Sequence, residues 1–148
     1  MAIKKSNIKI AIVASNFNKD IVDRLYSGAI STLEKNGVSE REIEVIRVPG
    51  AFEIPVTVKL LIDKKQYNVI ITLGVIIRGE TPHFEYIANE CVHGISQLAI
   101  KTGVPIILGI LTVNNRKQAM NRSENTGKNK GSEAAQAALD MVDVLENR

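Results

Sequence analysis

Four short segments rich in β-branched residues, separated by stretches with helical periodicity, constrain this chain more than any other feature of it. The first run is 8–14, and residues 20–36 then carry Ile21, Val22, Leu25, Ala29, Ile30 and Leu33 at spacings that share a helix face. Gly37 stands where a helix-ending glycine belongs. The pattern recurs as a strand over 43–48, a helix from about 52 to 65 with Pro55 in its first turn, and a strand over 69–77. A long helix over 82–102 and a strand over 106–113 follow. In the long helix Phe84, Ile87, Ala88, Cys91, Ile95, Leu98 and Ala99 fall on one stripe, while Glu85, Asn89, His93 and Lys101 fall elsewhere. Gly103 and Pro105 end it. The spacing then predicts a short helix over 115–121, a polar stretch over 123–131 and a helix over 132–147.

Strands alternating with helices imply right-handed crossovers, hence a parallel sheet with helices on both faces. The nearly unbroken apolar runs 69–73 and 106–111 fit strands covered on both sides. The expected fold is α/β: one three-layer α/β/α domain over 1–148 around a four-stranded parallel sheet. At 148 residues the chain can bury roughly two-thirds of its unfolded surface, so it needs no disulfide or structural metal. Cys91 is the single cysteine, which excludes an intrachain disulfide framework and a zinc module. A content of 45% hydrophobic and 24% charged residues excludes a disordered chain.

The apolar run after the basic N-terminus is interrupted by Lys9 and followed by Ser15-Asn16, which is not the pattern of a signal peptide. No uncharged stretch reaches the roughly 20 residues a membrane helix needs, so a soluble, cytoplasmic chain without a membrane partner is expected. The net charge of +3 is mostly made of cations interleaved with acids, without the aromatic-rich basic stripe of a nucleic-acid binder. Over 114–131, however, Arg116, Lys117, Arg122, Lys128 and Lys130 face only Glu124, which points to a small anionic substrate.

In open α/β sheets ligands bind beyond the carboxyl ends of the strands, so the segments of interest are 15–19, 49–53, 76–83 and 113–116. Gly79 and Thr81 lie where a strand passes into a helix, an arrangement whose free amides can cradle a phosphate or carboxylate. Thr81-Pro82 is equally an ordinary cap followed by proline at the first helical position. The spacing is not that of a P-loop. His83, in the first turn of the long helix, can exchange protons near neutral pH or simply cap the helix. Phe17 and Phe52 are loop aromatics at strand ends, suited to a planar ligand or to helix packing. Taken singly, Arg122 and Lys130 read as solvated charges, His93 as an off-stripe surface residue, and Cys91 as a small buried hydrophobe.

Four separated motifs together carry more. Ser15-Asn16-Phe17-Asn18, Val48-Pro49-Gly50-Ala51-Phe52-Glu53-Ile54-Pro55, the run from Gly74 to Tyr86, and Asn129-Lys130-Gly131 with Glu133-Ala134-Ala135 resemble lumazine synthase, in that family's order, from about Ile8 to the C-terminal helix. The resemblance implies a flavodoxin-like sheet and the penultimate step of riboflavin biosynthesis. In that step 5-amino-6-ribitylamino-uracil condenses with 3,4-dihydroxy-2-butanone 4-phosphate to 6,7-dimethyl-8-ribityllumazine, phosphate and water, with no cofactor and no metal. By the same likeness His83 is the general acid/base. Gly79, Glu80 and Thr81 form the phosphate loop, Glu80 through its backbone amide, and Arg122 clamps the same phosphate. Phe17 stacks on the pyrimidine, Ala51, Phe52 and Glu53 contact the ribityl chain and ring edge, and Val75, Ile76 and Ile77 line the heterocycle. Lys130 approaches a ring carbonyl, and Leu108 stands where many members place an aromatic near the stacked ring.

The likeness further implies a pentamer whose sites lie between subunits, with Arg122 and Lys130 supplied across the interface. A free ring, a decamer and a sixty-subunit shell are the alternatives that the likeness leaves open, with riboflavin synthase as a candidate partner and residues 1–7 as a short N-terminal arm. The run Arg122-Ser123-Glu124-Asn125-Thr126-Gly127-Lys128 departs from the family's more usual Arg-Ala-Gly-x-Lys. Among the rivals, a receiver domain lacks its strand-end aspartate, since 69–77 is followed by Arg78-Gly79, and a flavodoxin-type carrier lacks a hydroxyl-rich first loop. The remaining alternative is a non-catalytic flavin- or lumazine-binding shell protein of the same fold.

Overall fold

The apolar runs become four parallel strands, β1 (Ile10–Ser15), β2 (Ile43–Val48), β3 (Val69–Ile77) and β4 (Ile106–Val113), in the order β2-β1-β3-β4. The computed structural model describes residues 7–125 and 127–147, so all but the last residue of the expected arm lies outside the described residues, as does Thr126. Ser15 lies opposite Val48, and Val75, Ile76 and Ile77 lie opposite Leu111, Thr112 and Val113, so the carboxyl ends share one edge of the sheet. Among the described residues five helices connect and cover the strands: α1 (Lys19–Lys35), α2 (Ile54–Asp63), α3 (His83–Thr102), α4 (Arg116–Asn121) and α5 (Lys130–Glu146).

Side chains alternate across a strand, and the two buried clusters divide accordingly. Ile10, Ile12, Ile71 and Leu73 pack with Leu25 of α1, Ala119 of α4 and Leu139 of α5, whereas Ala11, Val13 and Ile70 pack with Ile54 and Val58 of α2 and Cys91 and Ile95 of α3. The result is the three-layer, flavodoxin-like α/β/α arrangement. Leu25 and Leu139 are essentially inaccessible, and truncating either to alanine costs about 2–5 kcal/mol.

Boundaries shift where tertiary contacts outweigh periodicity. β1 begins at Ile10, although Ile8 is buried before it, and it runs on to Ser15. α2 is preceded by a separate 3-10 turn at Ala51–Glu53 and stops at Asp63, two residues early, where Lys65 turns to φ 56°. A further 3-10 turn at Glu40–Glu42 has no counterpart in the sequence reading. α5 begins at Lys130 rather than at 132, because the buried Asn129 side chain accepts the Ser132 N–H at 3.0 Å and donates to Arg24 O and Ser123 O at 3.2 Å. Gly131 is therefore a packing residue, not a loop residue: a Cβ there would lie 1.8 Å from Leu25 O of α1. Among the described residues no helix is long and apolar enough to cross a membrane.

Candidate active site

Three loops at the carboxyl ends of β1, β2 and β3 build one cleft. In the first, the Asn16 and Phe17 amides donate to Val48 O and Pro49 O at 2.7 and 3.0 Å, extending the β1–β2 contact past the sheet. Asn18 then adopts φ 58°, a left-handed conformation that asparagine tolerates, and its side-chain amide donates to Val75 O at 3.4 Å. The chain turns into α1 and leaves the Phe17 ring 70% exposed. In the second loop, the turn at Ala51–Glu53 buries Ala51 and leaves Phe52 56% exposed, while the Thr57 hydroxyl donates to Glu53 O at 2.9 Å.

The third loop is pinned by Arg78. Its N–H donates to Val113 O at 2.9 Å, its guanidinium donates to Asn114 Oδ1 and Glu85 Oε1 at 3.0 Å, and it lies 4.6 Å from the Phe84 ring centroid. Fixing Phe84 and Glu85 also fixes His83 beside them. Thr81 Oγ1 accepts the His83 N–H at 3.4 Å, a long capping bond across Pro82, so helix entry sits within one residue of the sequence expectation.

The cleft measures about 450 Å³ and is lined by Phe17, Gly50, Ala51, Phe52, Glu53, Val75, Ile76, Ile77, Gly79, Thr81, His83, Phe84 and Ile87. Ten of the residues singled out in the sequence thus converge, and Glu80 lies exposed in the same loop without lining the cleft. Gly50, Phe84 and Ile87 were missed as lining residues. The last two belong to the apolar stripe of α3, which reads as core throughout, yet its first turn emerges into the cleft.

Arg122 and Lys130 lie elsewhere. They line a second cavity of about 490 Å³ with Ile110, Leu111, Thr112, Val113, Gly127, Lys128 and Glu133. The Lys130 N–H donates to Arg122 O at 2.8 Å beside an antiparallel bridge between Ser123 and Asn129, and the Arg122 guanidinium donates to Gln118 O at 3.1 Å. The chain therefore brings Arg122 and Lys130 together but not to His83. Lys128 and Glu133 also face this cavity, and charge clustering in 114–131 was the signal for Lys128. Three cations against one carboxylate make it a natural anion site. Leu108 lines neither cavity: it sits opposite Thr72 on the edge strand β4, 40% exposed and three residues before Leu111.

Cys91 lies on the buried face of α3, and desolvation pushes its thiol up to about 11, so it has no part in proton transfer at neutral pH. Among the described residues, no three His, Cys, Asp or Glu side chains are grouped to hold a metal ion.

A family model described as 6,7-dimethyl-8-ribityllumazine synthase matches residues 7–146. The chain belongs to that family. The lumazine synthase match spans all four strands and five helices, and every residue that lines either cavity lies within it. The four motifs that resembled lumazine synthase in the sequence all fall inside this match.

Proposed function

We propose that this chain condenses 5-amino-6-ribitylamino-uracil with 3,4-dihydroxy-2-butanone 4-phosphate to 6,7-dimethyl-8-ribityllumazine, releasing phosphate and water, as a transferase of riboflavin biosynthesis. The observation that carries the reading is the shape and chemistry of the cleft. Two exposed aromatics and an aliphatic wall from β3 suit a flat heterocycle, and Gly79, Thr81 and His83 form a polar group where β3 passes into α3. Membership of the family supports the same conclusion.

In this mechanism Phe17 stacks on the pyrimidine, Val75, Ile76 and Ile77 line its face, and Ala51, Phe52 and Glu53 contact its edge and the ribityl chain. The amides of Gly79 and Glu80 and the Thr81 hydroxyl hold the phosphate. The pyrimidine amine attacks the ketone to form an imine and one water, phosphate leaves by elimination to give an enol that becomes a second carbonyl, and closure of the ribitylamino nitrogen onto that carbonyl expels a second water. Each step moves a proton, and His83 at the cleft surface gives and takes it. Much of the acceleration comes from holding amine and carbonyl within reacting distance. No cofactor or metal enters the scheme.

The cleft and the second cavity are two halves of one site, joined when a neighbour presents Arg122 to the phosphate, Lys130 to a ring carbonyl and Leu108 near the stacked ring. The separation of Arg122 from His83 within one chain motivates this, and a cyclic, head-to-tail pentamer is the assembly proposed, whether its rings stand free, pair to a decamer or close into a sixty-subunit shell. One domain over 1–148, a cytoplasmic location and riboflavin synthase as a partner complete the reading. Incubating the purified chain with both substrates should yield lumazine absorbance and inorganic phosphate in equal amounts. Ligand binding without phosphate release would instead assign the chain to the non-catalytic shell proteins.

A further inference from the structure

We infer that Arg47 is a positioning residue for the pyrimidine substrate, acting through the loop that presents Phe17. The inference rests on the proposed role of the cleft and adds a residue that touches no substrate. Arg47 lies on β2 opposite Ala14, and each of its guanidinium nitrogens has a different partner. Nε donates to Asn16 Oδ1 at 3.0 Å, one terminal nitrogen donates to Ser15 O at 3.2 Å, and the other pairs with Asp23 of α1 at 3.1 Å. The side chain is 26% exposed, against 47%, 54% and 85% for Arg78, Arg116 and Arg41.

These contacts bracket Phe17. Ser15 and Asn16 precede it, Asp23 lies in the helix that follows it, and Asp23 is itself held by Lys19 at 2.7 Å. Hydrogen bonding from Lys19, reinforced by Arg47, holds the Asp23 carboxyl below its usual range, so the anchor stays charged throughout the neutral region. Because the Phe17 ring is largely exposed, the loop backbone rather than packing sets its place. A planar fork with several donors can tie three separate acceptors, which a lysine ammonium on a flexible stem does less well. Without it the loop samples more conformations, and the pyrimidine must pay the ordering cost on binding.

The test is a double-mutant cycle between Arg47→Met and Phe17→Ala, read as the dissociation constant for 5-amino-6-ribitylamino-uracil and the KM for the butanone phosphate. Arg47→Met should weaken pyrimidine binding about three- to tenfold, the size expected for charge-assisted bonds at a partly exposed site, and leave the butanone phosphate KM unchanged. Against Phe17→Ala the same change should weaken binding less than about twofold, because the ring it positions is gone. Asn16→Ala removes the exposed acceptor of Nε without disturbing the sheet, and should shift pyrimidine binding the same way by about twofold, so the inference survives poor folding of Arg47→Met. If Phe17→Ala binds the pyrimidine as tightly as wild type, the placement of the ring in the cleft fails. If Phe17→Ala weakens binding but neither Arg47→Met nor Asn16→Ala does, the positioning role alone is overturned. Additive losses in the double variant, or equal losses for both substrates, also overturn it.

Discussion

Substituting alanine for Gly131 should unsettle the whole α1–α5 face. The added Cβ lies 1.8 Å from Leu25 O, 2.6 Å from Leu25 C and 2.9 Å from its Cα, all backbone atoms of α1 that no rotamer change can move. Opening the closest contact to about 3.0 Å, the shortest that real Cβ atoms show, requires α5 to retreat by more than an ångström. A radial gap of about 0.5–1 Å already forfeits a quarter to a half of each dispersion contact. That gap would run along Ala134, Ala135, Ala138, Leu139 and Val142, the buried side of α5. The cost should sit at the upper end of overpacking effects, about 3 kcal/mol. For a chain of this size it lowers Tm by about 6–12 °C. Thermal unfolding followed by circular dichroism at fixed protein concentration measures it, with Gly79→Ala as the control because its Cβ meets nothing within 4 Å. A Tm for Gly131→Ala within about 2 °C of wild type would refute the close approach of the two helices.

His83→Ala should slow turnover by about ten- to a hundredfold with folding unchanged, at or below the low end for general acid/base groups, because positioning survives; full activity across the neutral range would remove His83 from the chemistry. Arg122→Ala should raise the KM for the butanone phosphate and lower turnover, since it deletes a charge-assisted phosphate contact, and steady-state kinetics with each substrate varied separately would reveal an unchanged KM. The Cys91 thiol, raised to about 11, should resist a thiol reagent at pH 8 in the folded chain and react at once in denaturant. The linkage has a definite sign: the proton is held more tightly in the folded state, so its contribution is intact below pH 9 and is lost as pH rises toward 11. Stability measured over that window should fall more steeply for wild type than for Cys91→Ala.

Periodicity carried the fold well because it reports burial. β2, β3 and β4 fall on the expected residues, since β3 and β4 are apolar runs bounded by polar or turn residues and β2 is a β-branched segment with charges at its exposed positions. It failed where a side chain acts at a distance. Nothing local announces that Asn129 reaches Arg24 and Ser123, so α5 starts earlier than its apolar spacing suggests. Likewise Gly131 reads as a loop glycine until α1 is seen against it. The cleft was legible in outline because ligands gather at strand ends, and the glycine, histidine and aromatics of those loops are unusual there. Phe84 and Ile87 were not, because a helix stripe that begins in a cleft and continues into the core has one periodicity for both. Arg47 was invisible for another reason: a charge in a half-exposed strand is ordinary, and only the positions of Ser15, Asn16 and Asp23 reveal its work.

The joining of the two cavities into one site is tested most directly by mixing His83→Ala subunits with Arg122→Ala subunits, each impaired alone, and dissociating and reassembling them. In a randomly mixed ring of equal parts, each site takes its histidine from one subunit and its arginine from the next, so about a quarter of the sites carry both native groups. Activity should rise to about a quarter of the wild-type value per site. If the reassembled mixture never exceeds the mean of its two parents, or if light scattering finds only monomers at the working concentration, the cleft and the second cavity do not form a shared site.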